Sequence, residues 1–172
     1  MFFGRDADTR HYRPRYGVNS AGGLQGFAGN LLPLAQLNGA VGLGYSPLED
    51  LSSAMNPDNG PYSSDARRHC IKIMKDGGQG SFSSSNAETI ALSYCDLLYT
   101  LRDALNHIPR GSPINQTTFA AALDSLGSVP SGNLATAFFG PNHHDAVADG
   151  WDYRCFPDCQ CFHYAGSKFR LS

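Results

Sequence analysis

Five cysteines in 172 residues, with Cys155, Cys159 and Cys161 crowded next to His163, limit most strongly how this chain can fold. Two chemistries compete for that cluster. A zinc centre needs deprotonated donors at spacings that let a tetrahedron close. Cys155-x3-Cys159-x-Cys161-x-His163 supplies four candidates, but it lacks paired Cys-x2-Cys knuckles. Alternate residues of a strand also do not converge easily on one ion. Disulfides or buried thiols are therefore the favoured reading, with no metal and no cofactor expected. An odd count leaves at least one cysteine free, or paired outside the chain, in an oxidised protein. The nearby run Phe139-Gly140-Pro141-Asn142-His143-His144-Asp145 reads as a solvated turn, with Asp145 as a turn residue.

Composition narrows the partners. Hydrophobic residues make up 41%, enough for a core, whereas charged residues are only 16%. Frequent Gly and Pro indicate many tight loops and an extracellular character. A net charge of −2 gives no reason to expect nucleic-acid or anionic-membrane binding. No apolar run approaches the length of a membrane span. Met1-Phe2-Phe3 is followed at once by Arg5, Asp6, Asp8 and Arg10, so no apolar leader core is present. Extracellular composition without a leader is a contradiction that a missing N-terminal portion would resolve.

Pattern and punctuation place the elements. Residues 2–10 read as the tail of a helix already under way at Met1, with Phe2 and Phe3 as its apolar face. Tyr12 to Val18 reads as a strand, and Leu24 to Leu32 as a short helix closed by Pro33. Leu37 to Tyr45 reads as a central strand, apolar on both faces. Ser46 to Tyr62 reads as loop. Ser64 caps a helix over Asp65 to Lys75 that Gly77 ends. Gly77 to Ser84 is a Gly/Ser linker. Ser85-x-x-Glu88 reads as a capping box opening the longest helix, which runs to His107. Ile90, Tyr94, Leu97, Leu101, Ala104 and Leu105 form its stripe, expected to be buried except where loss of a covering N-terminal portion exposes part of it. Arg102, Asp103 and Asn106 should face water. Asn115 caps a further helix, Thr117 to Leu126. Ala135 to Phe139 and Cys161 to Tyr164 read as short strands. The alternation makes the fold class α/β, although two or three strands make a poor parallel sheet by themselves.

Tests for catalysis fail, and no catalytic centre is expected. The glycines of Gly39-x-x-Gly42-x-Gly44 fall within a strand, and no Lys-Ser/Thr follows, so they read as close packing rather than a phosphate loop. No Gly-x-Ser-x-Gly elbow exists. Cys70, next to His69, and Cys95, next to Asp96, sit on helices as structural cysteines. Asn115-Gln116-Thr117 fits the glycosylation pattern and helix capping equally well.

Five segments in order carry a resemblance. They are Tyr12-Arg13-Pro14-Arg15-Tyr16-Gly17, Gln36-Leu37-Asn38-Gly39-Ala40-Val41-Gly42, Tyr94-Cys95-Asp96-Leu97-Leu98, Phe139-Gly140-Pro141-x-x-His144-Asp145 and Cys159-x-Cys161-Phe162-x-Tyr164. Together they resemble the C-terminal part of ABC-transporter substrate-binding proteins of the branched-chain-amino-acid-binding type, in a cysteine-containing bacterial subgroup. The resemblance implies an incomplete type 1 periplasmic-binding-protein fold. Residues 1–84 would be the later part of lobe two, 85–129 helices returning toward lobe one, and 130–172 closing strands crossing back. It implies a non-enzymatic, extracytoplasmic protein that binds a small-molecule solute. When full length it would dock on ABC-transporter membrane subunits, without inserting in the membrane itself. Asn19, Ser20 and Tyr45 would line half of a ligand cleft. No carboxylate lies between Val18 and Ala28 to hold an ammonium group, which speaks against an amino-acid ligand. Cys70 and Cys95 would be disulfide partners, with Cys155, Cys159 and Cys161 as further candidates. Two other readings stand beside this one: a small zinc-binding module or metal-dependent enzyme built on the C-terminal Cys/His cluster, and a truncated chain without independent activity.

Overall fold

A computed structural model describes residues 2–28 and 31–171, apart from the side chains of Phe2 and Ser85. The elements in chain order are α1 (Phe2–Thr9), β1 (Gly17–Asn19), α2 (Leu24–Phe27), α3 (Leu34–Leu37), β2 (Val41–Gly44), α4 (Pro47–Asp50), α5 (Asp65–Asp76), α6 (Ser85–His107), α7 (Gln116–Asp124), β3 (Gly127–Val129), β4 (Ala137–Phe139), β5 (Asp149–Phe156) and β6 (Cys161–Arg170). The fold is α/β. The described residues form a mixed four-stranded sheet in the order β1-β2-β5-β6 and a separate β3-β4 pair. β1 and β2 are parallel, whereas β5 runs antiparallel to both β2 and β6.

The long β5–β6 hairpin completes a sheet that β1 and β2 are too short to make alone. Sequence patterning missed β5. Its burial does alternate, with Tyr153 and Cys155 inward and Asp152 and Arg154 outward. Gly150, Trp151 and a register shift at Gly150/Asp152 blur that alternation in the sequence. β3 was missed as well. β2 is internal, as expected, but shorter than expected. Leu37 belongs to α3, and Gly39 turns the chain with φ 77° before the strand begins at Val41. The first strand likewise shrinks from Tyr12–Val18 to Gly17–Asn19, and α2 ends at Phe27. Residues 29 and 30 of the expected Leu24–Leu32 helix, together with Met1, lie outside the described residues. Within the expected 46–62 loop, Pro47 starts the one-turn α4.

Two apolar clusters hold these layers. The first joins Leu32, Leu37 and Ala40 to Tyr153, Cys155 and Phe162 across the sheet. The second lies between α5 and α6 and contains Cys70, Ile71 and Leu92, with Phe82 of the linker packed against it. Cys70 and Cys95 are bonded there, their Cα atoms 6.1 Å apart. Buried Arg67 of α5 pairs with Glu88 of α6 at 2.8 Å and with Asp58 at 3.0 Å.

α6 is the longest helix among the described residues. Its cap is Ser84, whose hydroxyl accepts from the Ala87 amide, one position before the expected Ser85 box. Glu88 turns to Arg67 instead. The expected buried stripe is corrected too. Of that stripe Ala104 is buried as expected, and Leu92 and Tyr99 face inward with it, whereas Ile90, Tyr94, Leu97, Leu101 and Leu105 are exposed, as is Leu98. Tyr94 and Leu97 reach 65% exposure each. The helix is apolar on two faces; α4, α5, α7 and β3 pack against it, yet the row from Ile90 to Leu105 stays exposed. Arg102 and Asn106 are exposed as expected, while Asp103 is half-buried and pairs with Arg102. Asn115 caps α7 through a reciprocal box with Thr118.

A disulfide closing a loop of 25 residues restricts the unfolded chain far more than one spanning two. Replacing Cys70 and Cys95 together by alanine should lower unfolding stability by about 3 kcal/mol in urea titrations. The matched Cys159/Cys161 double replacement should lower it by clearly less.

Candidate functional site

The parallel pair β1–β2 ends at Asn19 and Gly44, and the segments leaving these two strands shape the candidate site. Open α/β sheets present ligand groups at such carboxyl ends. After β1 the chain enters a tight turn over Ser20–Gly22, closed by Gly23 at φ 54°. After β2 it passes through Tyr45 and Ser46 into α4. Ser20 is 1% exposed and fully engaged inside. Its hydroxyl donates to Asp50 Oδ2 at 2.8 Å and accepts from the amides of Tyr45 at 2.7 Å and Ser46 at 3.1 Å. Ser20 thus acts behind the wall, locking the Tyr45 backbone, whereas the sequence expectation put it on the ligand face.

Asp50 organises this wall. Its Oδ2 also accepts from the Tyr164 hydroxyl at 2.6 Å and the Ser46 amide at 3.1 Å. Its carbonyl accepts from the Tyr153 hydroxyl at 2.9 Å. The carboxyl is 1% exposed, and burial pushes it up from 3.8 to about 6 despite the hydrogen bonds from Tyr164 and Ser20. Burial also drives the Tyr153 and Tyr164 hydroxyls upward, so both remain donors. Gly44 is required here. A Cβ on it would lie 2.3 Å from the Tyr164 ring and 2.9 Å from Asp50 Oδ2. Of the glycines in Gly39-x-x-Gly42-x-Gly44, Gly42 and Gly44 serve close approach, to Val18 of β1 and to this carboxyl, whereas Gly39 meets nothing within 4 Å and instead supplies the turn before β2.

The site itself is a pair of clefts that share Leu43 and Tyr45. One, of about 710 Å³, runs along β1 and β2 and is lined by Asn19, Tyr16, Val18, Leu24 and Leu37. The other, of about 850 Å³, is lined by Asn142, His143, His144, Asp145 and Val147. The Tyr45 backbone is pinned on both sides, by Ser20 Oγ on its amide and by the Ala135 amide on its carbonyl. Asn19 and Tyr45 therefore share one cleft, and Tyr45 also opens onto the histidine loop.

That loop is more ordered than the solvated turn expected. Gly140 and His143 exchange two backbone hydrogen bonds, and Asn142 and Ala146 take φ of 64° and 62°. His143 is half-buried, with Nε2 3.1 Å from the Val147 carbonyl and 3.3 Å from Asp145. His144 is exposed and 3.5 Å from Asp124. The adjacent Gly140-Pro141-Asn142 explained the turn. It did not signal that the turn would border Tyr45, which depends on the Ala135–Tyr45 and Ala148–Thr136 backbone contacts.

The cysteines resolve into two bonds and one thiol. Besides Cys70–Cys95, Cys159 and Cys161 are bonded, their Cα atoms 5.2 Å apart. Cys155 is the free cysteine among the described residues, and it is buried. Burial pushes its thiol upward, away from nucleophilic use.

No family model matches the chain, and no curated protein matches it. Among solved structures it is similar to the crystal structure of a possible leucine/isoleucine/valine-binding protein from Rhodopirellula baltica SH 1, with 22% identity and a TM-score of 0.45. The match covers 98% of this chain and 38% of that one, so the chain spans well under half the length of that protein.

The Asp50 environment sets a pH dependence. The folded state holds this proton more tightly than the unfolded state, so the stabilisation is complete below about pH 4 and is lost as pH rises through about 6. Glu49 and Asp96 are raised by burial in the same direction. Asp50→Asn removes the Asp50 contribution. The stability of wild type relative to D50N, from denaturant unfolding at stepped pH, should therefore fall by up to about 3 kcal/mol between pH 4 and 7. A flat difference would assign the carboxyl an ordinary affinity for its proton.

Proposed function

We propose that this chain is the ligand-gripping part of a non-enzymatic, extracytoplasmic solute-binding protein, and that it holds one half of the ligand cleft. The observation that carries the reading is the placement of Asn19 and Tyr45 together on an open cleft at the carboxyl ends of two parallel strands. Such strand ends are where open α/β sheets hold small polar ligands.

Three further features support it. A cleft at the strand ends is the form expected of a surface that a second lobe closes over its ligand. α6 presents an uncovered row from Ile90 to Leu105, which suits helices that return to another lobe. In that scheme residues 1–84 belong to lobe two, 85–129 reach toward lobe one and 130–172 cross back. The Cys70–Cys95 disulfide fits an oxidising compartment outside the cytoplasm. Among the described residues no helix is long and apolar enough to cross a membrane. In the complete protein, the membrane subunits of an ABC-type importer are the partners that would accept the solute.

A half cleft leaves its ligand exposed to water and without the contacts of the opposite lobe. Calorimetric titration of the 172-residue chain with amino acids, amides and small organic anions should therefore show weak binding at most. Nuclear magnetic resonance shifts under the same ligands should centre on Asn19 and Tyr45 and disappear in Tyr45→Ala. Tight stoichiometric binding would make this a complete binding domain. Shifts confined to a different surface would remove the proposed site.

A further inference from the structure

The tip of the β5–β6 hairpin gathers soft donor atoms from two separate segments. Gln160, with φ 53°, swings the turn so that Cys159 comes back beside Cys161 at the start of β6. Cys161 and His163 are two residues apart on one strand and so share a face. His163 Nε2 lies 3.1 Å from Cys159 Sγ. The donor atoms of Cys159, Cys161 and His163 all lie within 4.8 Å of one another. Met55 Sδ, arriving from the segment after α4, is 3.9 Å from Cys161 Sγ. The Phe156 ring sits edge-on to His163 at 5.1 Å and shields one side. Alternate strand residues share a face without converging on one point, but Cys159 belongs to the turn and not to the strand, so its sulfur can close in on that face.

We propose that this hairpin tip is a thiol-gated site for a cuprous ion, held by Cys159, Cys161, His163 and the Met55 thioether. Thiolate and thioether sulfur with one imidazole form a soft donor set that favours Cu(I) over harder cations. Zinc would need a fourth Cys or His, or an open water position. Cys155 does not provide that donor, because it packs in the sheet core with Tyr153 and Phe162.

In the bonded state both sulfurs are committed to each other and the site is shut. A small dithiol opens it in two exchange steps. Its first thiolate attacks one sulfur, forming a mixed disulfide and releasing the other cysteine as thiolate. Its second thiol then displaces the remaining cysteine and closes the reagent's own disulfide. Two electrons and two protons pass from the dithiol to Cys159 and Cys161. Cu(I), supplied in that oxidation state, then replaces the two thiol protons and undergoes no redox change.

The test uses the full chain, reduced with dithiothreitol, desalted without air and titrated with Cu(I) against the chromophoric chelator bicinchoninate. The reduced protein should withdraw one equivalent of copper, and the oxidised protein none. Reduction also opens Cys70–Cys95, so the reference is a Cys159→Ser/Cys161→Ser variant treated identically, which keeps Cys70, Cys95 and Cys155. That variant should lose the equivalent while circular dichroism shows it folded. His163→Ala and Met55→Leu should each shift the competition curve toward the chelator. Equal copper uptake by the double-serine variant would overturn the proposal. So would unchanged curves for both single variants, or uptake of zinc in preference to copper.

Discussion

Everything around the candidate cleft is hung from one buried carboxyl. Asp50 sits where the end of β1, the exit of β2 and the β5–β6 hairpin meet, and it takes a hydrogen bond from each of them. A buried carboxyl without such partners would be strongly destabilising. Its presence therefore fixes the positions of Ser20, Ser46 and Tyr164 relative to one another. Tyr164 in turn stacks on Trp151 at 4.4 Å, and Tyr62 meets both rings edge-on. The cleft wall is thereby tied to the outermost strand. The Gln25 side chain adds a second tie by accepting from the Phe162 amide at 2.9 Å.

A second carboxyl does for the helical side what Asp50 does for the sheet. Asp96 of α6 accepts from the Ser131 hydroxyl at 2.7 Å and from the amides of Gly132 at 2.6 Å and Asn133 at 3.2 Å. The same short segment reaches back to the sheet. Ser46 donates to Asn133 Oδ1 at 2.7 Å, and Ser64 donates to the Ser131 carbonyl at 2.6 Å. Residues 131–133 therefore act as a staple between α5, α6 and the β2 exit. A polar loop does here what a continuous apolar core does elsewhere, consistent with two clusters that stay separate.

How much of this was legible in the sequence depends on where the signal resided. The helices with caps and period, α5, α6 and α7, were readable because local hydrogen bonds specify them. β1, β2, β4 and the start of β6 were readable as strands, though with other bounds, whereas β3 and β5 were not; β5 pairs with β2 across more than a hundred residues, as between Val41 and Arg154. Asn19 and Tyr45 were singled out through the resemblance, and they do line a common cleft beside the parallel strands. Asp50 was invisible, since Leu48-Glu49-Asp50 looks like any solvated loop until Tyr164 arrives from the far end. The exposed face of α6 also misled, because periodicity reports that a face is apolar and not whether anything covers it.

The Cys70–Cys95 bond brackets the exposed Gly77–Ser84 linker, with only Phe82 anchored in the cluster below. A protease that nicks this linker would cut the chain without separating its pieces. The two fragments would migrate as one molecule until a reductant parts them. The protein can therefore carry a broken backbone in an oxidising environment and keep its shape, and the damage becomes visible only when the thiols are restored.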